Sequence, residues 1–592
     1  MALSRRIPVL EIVAALALAT AMSGAVATSA NAARSNGTAS SVATSVLRQP
    51  TPPVRARDFR IERTGRAPRD NDHLIPNPKT PTGARIRGPR SCSVTFAASA
   101  GASSGTVNSW IAGHENSIRR RTVLCLSGVF TSPLHVWSKT STPLLEIAPE
   151  PHSSAKLDLG TVNQSDVDPN QYWSDAGGIS IVDSRSVEIY GLTVENYTYD
   201  GPDQSPAGIY VTVRSDPGHL SACFHNHGAC SDIYLIRNTV KDITNTADGN
   251  FTSSALCGNS NVDGYGIAVI AAGNHSTPAL QHVVIEDNTV TGTRTGQSET
   301  VTINGDVTDF LAAGNHIYDT DNIGLDTIGW ETGTSQANHG LVEGNVVYNV
   351  DTLSNSSYGS WSHGTCEPGQ ENAAGLYDDG ASYIWFDDNT VWNTDQGINL
   401  DVETAHRETD HLLVSGNNVF NSPGTSASDP SHGPNPPHTG GSSTVAGHDP
   451  YAMYVDAFGT RASIQDVYVH DNRFENQSQY FLSPSDGMPV VDLGGIWSNV
   501  DIWHNVIIGL GPSDNYNPLF EVDNEPHGGR NVVDCNEYLN LSDSQNTVNG
   551  NFASPTNDWL TLSAWQASNG HGWDKHSEVG KFAPECPRRS IQ

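Results

Sequence analysis

Val284-Ile285-Glu286-Asp287-Asn288-Thr289-Val290 is a short apolar strand, then an Asn, then an apolar residue two places on. Leu341-Val342-Glu343-Gly344-Asn345-Val346-Val347 repeats the arrangement. The Asn recurs at Asn238, Asn288, Asn315, Asn345, Asn389, Asn417, Asn472, Asn505 and Asn536, with spacings of 50, 27, 30, 44, 28, 55, 33 and 31 residues. The shorter spacings suit one coil of a β-solenoid, and the longer ones a coil with an inserted loop. Such self-similarity marks stacked units that bury a shared core and place their insertions on one face. Asn tolerates left-handed backbone and hydrogen-bonds locally at turns. Stacked Asn amides are therefore expected to bond one to the next, as structural residues.

Each coil has a second half. Gly or Ala precedes an apolar, variable, often apolar triplet at Gly178-Ile179-Ser180-Ile181, Gly208-Ile209-Tyr210-Val211, Gly266-Ile267-Ala268-Val269, Gly324-Leu325-Asp326-Thr327, Gly375-Leu376-Tyr377-Asp378, Gly397-Ile398-Asn399-Leu400 and Ala452-Met453-Tyr454-Val455. Thr300-Val301-Thr302-Ile303 fits without the Gly. Period-two alternation turns one set of residues inward and the other outward. Two or three such strands per coil, with no helices between them, predict an all-β parallel solenoid.

The N-terminus predicts export. Arg5 and Arg6, the apolar run Ile12 to Ala21 and Ala30-Asn31-Ala32 have the order of a signal peptide over 1–32. Residues 33–90, rich in Ser, Thr, Pro and Arg, read as a flexible linker. The solenoid domain is expected over 91–592, with an N-terminal cap and first coils over 91–175, main coils over 176–545 and a C-terminal cap over 546–592. Residues 1–90 carry 14 Lys+Arg and 5 Asp+Glu, whereas the rest carries 18 and 59, a net of −41 within −32 overall. So acidic a body excludes nucleic acid and anionic membrane as partners. A secreted, extracellular monomer is expected. The eight cysteines favour disulfides in an exported chain. Cys92–Cys125 and Cys535–Cys586 are the expected pairs, each flanking one end of the repeats.

The repeat form, the Asn turn and the Gly-led strand resemble the right-handed parallel β-helix family of pectate-lyase-like extracellular proteins, over roughly residues 91–545. The resemblance implies a right-handed parallel β-helix, a single-stranded solenoid with N- and C-terminal caps. Val123-Leu124-Cys125-Leu126-Ser127-Gly128-Val129-Phe130 looks like the solenoid entry. Trp565-Gln566, Asp574 and His576-Ser577 resemble a C-terminal segment that covers the last coil. The family implies a polysaccharide or oligosaccharide substrate.

Acidic residues concentrate in three coils. Aligned on Gly, the position two residues later holds Asp326, Tyr377 and Asn399, and the position four later holds Ile328, Asp379 and Asp401, with Asp456 following Ala452. Coils stack about 4.8 Å apart. Asp379 over Asp401 would therefore place two carboxylates side by side, where one keeps its proton near neutral pH. That pairing suits general acid and base chemistry on a glycoside. The expected catalytic set is Asp326, Glu331, Asp379, Asp401 and Glu403. Trp330, Tyr377, Asn399, His406, Arg407 and Tyr454 are the expected substrate-binding residues, aromatics stacking on sugar faces. Insertions 348–373 and 420–450 are expected to wall the site, and His432, His438 and His448 fall in the second.

Two alternatives stand beside the glycoside hydrolase. One is a calcium-dependent polysaccharide lyase, with Asp379, Asp401 and Glu403 holding calcium and Arg407, Lys241 or His406 as base. The chain lacks a clear lyase signature, and it lacks the paired Gly-His-Gly and Arg-Ile-Lys elements of the polygalacturonase group. The other is a non-catalytic, glycan-binding surface solenoid.

Overall fold

The computed structural model describes residues 91–579 except 99–102, 163–175, 200–204, 214, 217–218, 221–229, 247–251, 260–261, 272–278, 332–334, 353–354, 363, 368–372, 395, 422–450, 458–460, 477–490, 494–496, 510–518, 523–530, 541–547, 551–557 and 569–572. The expected signal peptide and linker, the three loop histidines, Cys223 and Cys586 lie outside the described residues.

One coil shows the plan. Leu280–Glu286 forms the first face, Asn288 turns the chain, Thr289–Thr291 forms the second face and Val301–Gly305 the third. The next coil repeats it with Val307–Ala313, Asn315, His316–Thr320 and Leu325–Ile328. Each strand pairs in parallel with its counterpart one coil away, as in Val283 with Phe310, Val290 with Ile317 and Val301 with Leu325. Further coils contribute Ala374–Asp379, Gln396–Asp401 and Met453–Val455 to the third face. The chain is a right-handed parallel β-helix, the hand that parallel crossovers within one sheet almost always take.

The nine Asn form a continuous ladder. Asn288 Nδ2 donates to Asn315 Oδ1 at 3.0 Å, Asn315 Nδ2 to Asn345 Oδ1 at 2.9 Å and Asn345 Nδ2 to Asn389 Oδ1 at 3.0 Å. The same Oδ1 also accepts the preceding Asn amide, as from Asn288 N to Asn315 at 3.0 Å. The second Nδ2 proton reaches a main-chain carbonyl, as from Asn345 to Ala312 at 2.9 Å. Every donor and acceptor of these buried amides is thereby satisfied along the interior of the ladder. The last rung, Asn536, donates its amide to Ser577 Oγ at 2.9 Å.

The left-handed residue at this turn differs from the expectation. It is the residue before each Asn, as at Asp287 (φ 56), Asp388 (φ 52) and Asp471 (φ 57), with Gly at 314, 344 and 416. The Asn side chain must point along the stack to reach its neighbours, so the preceding residue makes the corner.

The repeated Gly has a packing cause. A Cβ at Gly266 would lie 2.3 Å from Val290 Cγ1, at Gly375 2.4 Å from Val391 Cγ1 and at Gly397 2.2 Å from Val419 Cγ1. Each third-face Gly shares a corner of the core with the second-face Val of the following coil. Inward residues from all three faces, such as Ile285, Val290, Ile303, Leu376, Phe386 and Leu400, form one apolar column.

Both ends of the column are covered. The helix Gly105–His114 buries Val107 and Ile111 at the first coils. Trp565 from the helix Leu562–Ser568, together with Trp573, is buried at the last. Trp565 Nε1 and Tyr538 Oη both donate to Asp574, at 3.1 Å each. Cys92–Cys125 and Cys257–Cys366 are disulfide-bonded. Cys535 is also disulfide-bonded, so its place beside Asp534 and His576 is not a thiolate metal site. No described helix is long and apolar enough to cross a membrane.

Candidate functional site

The outer columns of the third face carry the polar cluster. Parallel register sets Thr302 beside Asp326, Asp326 beside Tyr377, Tyr377 beside Asn399 and Asn399 beside Tyr454. Two residues further on, Asp379 pairs in register with Asp401. Alternation keeps these residues off the core, which takes Leu376, Ile398 and Leu400 instead.

These carboxylates are not the surface charges that outward alternation suggested. Asp326 is 1% exposed, Asp379 4% and Asp401 0%. The outer face of the sheet is covered here, so its outward side chains form a floor. Glu331 and Glu403 are exposed and form the rim.

The turn after Leu325–Ile328 delivers the rim. Gly329 N donates to Asp379 O at 2.7 Å, and Gly380 N to Asp401 O at 2.9 Å. A Cβ at Gly329 would meet Gly380 O at 2.0 Å, so only Gly lets the turn close on the next coil. Trp330 follows with φ 71, a strained backbone for an aromatic residue. The Arg407 guanidinium stacks over its ring at 4.6 Å, and Trp330 Nε1 donates to Glu408 O at 3.3 Å. Glu331 Oε2 accepts Asn304 Nδ2 at 2.8 Å.

Tyr377 links floor and rim. Its hydroxyl lies 3.1 Å from Asp401 Oδ2 and 2.8 Å from Glu403 Oε1. One phenolic proton satisfies one of these contacts, so the other is a hydrogen bond only when that carboxyl carries a proton. Burial, then Asp401 and Glu403, push the phenol far up, and it stays protonated. Glu403 N donates to Asp379 Oδ1 at 2.9 Å.

Proton affinity is raised across the floor. Burial is the first cause for Asp379, followed by Glu403, Glu331, Asp326 and Asp401. Burial again leads for Asp326, followed by Glu299 and Asp378. Among the described residues, Asp326, Glu331, Asp379 and Glu403 form no ion pair. Like charges this close cannot all ionise at neutral pH.

Beneath the floor, Asp378 interrupts the core column. It accepts Thr327 Oγ1 at 2.8 Å and Thr409 Oγ1 at 3.3 Å and is fully buried. Burial pushes its carboxyl well above the usual range.

Asp326, Glu331, Asp379, Asp401, Glu403, Tyr377, Trp330 and Arg407 therefore meet. Asn399 adjoins Tyr377 and donates Nδ2 to Gln396 Oε1 at 2.8 Å. Tyr454 turns to Asp456 Oδ2, 2.7 Å away, and stacks on Tyr451. His406 is exposed on the turn before Arg407. Lys241 does not belong to the site. It lies on the second face, paired with Glu195 at 2.9 Å, because its strand follows an Asn turn and not a third-face Gly.

Two residues of the site escaped the alignment. Glu299 stands two places before the third-face strand Val301–Gly305 and is the largest like-charge influence on Asp326. A column drawn one residue before Gly would have found it. Tyr358 comes from the insertion after Val346–Val350, where burial and then Glu403 push its phenol up. That insertion is tied down by Cys257–Cys366, by Asn355 Nδ2 to Asp321 O at 2.9 Å and by Gly258 N to Ser356 O at 2.9 Å. No periodicity signals it.

No protein-family model matches the chain. The uncharacterized protein YwoF of Bacillus subtilis (strain 168) is 32% identical over 244 residues, 41% of this chain and 44% of that protein. The chain thus matches less than half the length of that relative. Among solved structures, the A-module of the Azotobacter vinelandii mannuronan C-5 epimerase AlgE6 is similar at TM-score 0.41 and 11% identity, covering 76% of this chain and 95% of that one. A GH136 lacto-N-biosidase from Eubacterium ramulus gives TM-score 0.43 and 11% identity, covering 75% and 67%. A mutant tailspike protein of E. coli bacteriophage HK620 gives 0.41 and 11%, covering 74% and 59%. At these values the likenesses say nothing of reaction or substrate.

Proposed function

We propose that the protein is a secreted polysaccharide-degrading enzyme of glycoside-hydrolase type. The observation that carries this reading is the register of Asp379 on Asp401 within one crowded carboxyl cluster. Asp379, kept protonated by burial and its neighbours, is the donor to the glycosidic oxygen. Asp401, whose Oδ2 lies 3.1 Å from the Tyr377 hydroxyl, is the base or nucleophile. Trp330 supplies a stacking surface at the rim. The signal-like N-terminus and the disulfides support export.

The test is turnover on a panel of neutral, amine-bearing and uronate glycans. Asp379→Asn and Asp401→Asn should each lower turnover by ~10²–10⁴-fold while circular dichroism stays native. Wild-type turnover in both variants would remove the pair from the mechanism.

The oxygen-only donor set Asp379, Asp401 and Glu403 favours a second reading, the calcium-dependent lyase. These residues would hold a hard cation that neutralises a uronate, with Arg407 at the rim beside Trp330. An unsaturated, ultraviolet-absorbing product that disappears with chelator identifies a lyase. New reducing ends without that absorbance, unaffected by chelator, identify the hydrolase.

A further inference from the structure

The floor beside the proposed acid and base is short of hydrogen-bond donors. Among the described residues, Asp326 Oδ1, Asn304 Oδ1, Asn399 Oδ1 and Thr302 Oγ1 are buried oxygens with no hydrogen-bond partner. All belong to third-face strands, and Thr302, Asp326 and Asn399 share one outer column through Tyr377. Asn304 extends the stripe to the exposed rim, since its amide nitrogen is already committed to Glu331 Oε2 at 2.8 Å. Its free atom, like that of Asn399, can only accept, and Asp326 accepts whenever it is ionised.

A buried acceptor without a donor costs about 1–3 kcal/mol, more for a charged group. Three such oxygens in one stripe, with the Thr302 hydroxyl beside them, suit a ligand that brings donors. The charge around them is of one sign. Asp326 is flanked by Glu299, Glu331 and Glu403, and none of these is ion-paired among the described residues. Arg407, at the rim, is engaged with the Trp330 ring. The carboxylate of a uronate brought here would add another negative charge and acceptors only. A neutral hydroxyl brings one donor. A protonated amine brings three donors, no acceptor and the complementary charge.

We infer that the stripe Thr302, Asn304, Asp326 and Asn399 is a subsite for an ammonium group, so that the glycan bears free amino sugars. This rests on the glycan reading above and adds the chemical class of the substrate. The amine binds toward Asp326 and Glu331, and the adjoining glycosidic bond falls toward Asp379 and Asp401.

The experiment compares a fully de-N-acetylated glucosamine tetramer, its fully N-acetylated counterpart and an oligogalacturonate. Calorimetry and product analysis are run at low and high salt. The amine tetramer should bind roughly tenfold or more tighter than the acetylated one, and the preference should shrink with added salt. Asp326→Asn should reduce it. Glu331→Gln, at an exposed position, should reduce it partially and serves if Asp326→Asn does not fold. Equal or weaker binding of the amine tetramer overturns the subsite. Cleavage of neutral glycans alone, with no amine preference in binding, overturns the subsite and leaves the hydrolase standing. Salt-sensitive binding of the amine tetramer, with no glycan cleaved, upholds the subsite and overturns the hydrolase.

Discussion

Asp378 shows how one residue can defy its column. Its neighbours in the inward column are Thr327 and Leu400. Two Thr hydroxyls donate to it, and no cation among the described residues pairs with it. With its pKa raised by burial, the folded state holds the proton more tightly than the unfolded state does. The stabilisation from that proton is complete below the unfolded value of about 4 and is lost as pH rises through the folded value. Asp378→Asn mimics the neutral carboxyl and cannot ionise. The variant should keep the fold and lose less stability than wild type as pH rises above about 4. Urea midpoints measured for both proteins across pH check this, and parallel pH profiles would contradict it. Asp379 and Asp326, one layer outward, are raised for partly different reasons. There the like charges of Glu403, Glu331 and Glu299 add to burial, so a ligand cation can relieve what the protein does not.

At the scale of the element, the third-face strand is shaped by its corner. Gly375 faces Val391 with no room for a methyl group. Gly375→Ala should lower the thermal midpoint by an amount corresponding to about 1–3 kcal/mol, the usual cost of overpacking. Adding Val391→Ala should recover part of the loss by vacating the same space. A double variant that merely sums two losses would show that the clash is not the cause. The corner before each Asn follows similar reasoning, since Asp or Gly there adopts the left-handed turn. The first-face strands hold a second left-handed position that their period-two pattern conceals. Asp232, His282, Asp309, His339, Tyr383, His411, Asp466 and Asn499 all have φ between 55 and 61. Their side chains form a ladder of their own, including His339 stacked on Tyr383 at 4.8 Å and Tyr383 on His411 at 4.3 Å.

For the whole molecule, charge is the dominant surface property. The chain carries −32 at neutral pH. Self-repulsion on this scale opposes the compact state, and salt screens it. The thermal midpoint should therefore rise as sodium chloride is raised from low concentration to about 0.5 M, where the Debye length falls to a few ångströms. A flat or falling midpoint would mean that local pairings already balance the charge. The reading of the chain in sequence succeeded where a rule repeats. Asn288, Asn315 and Asn345 declare the coil because each must make the same bonds. Gly266, Gly375 and Gly397 declare the third face because each meets the same Val. The register that sets Asp379 on Asp401 follows from counting off those Gly. The amino-acid order thus determined the parallel β-helix, its coil boundaries and the columns that carry the acids, since each depends on periodic backbone geometry. Tertiary structure alone decided which outward carboxyls are buried, how Tyr377 bridges Asp401 and Glu403, and that Glu299 and Tyr358 join them. Those features depend on turns and an insertion that obey no period, and burial is a property of what packs over a residue, not of its place in a repeat.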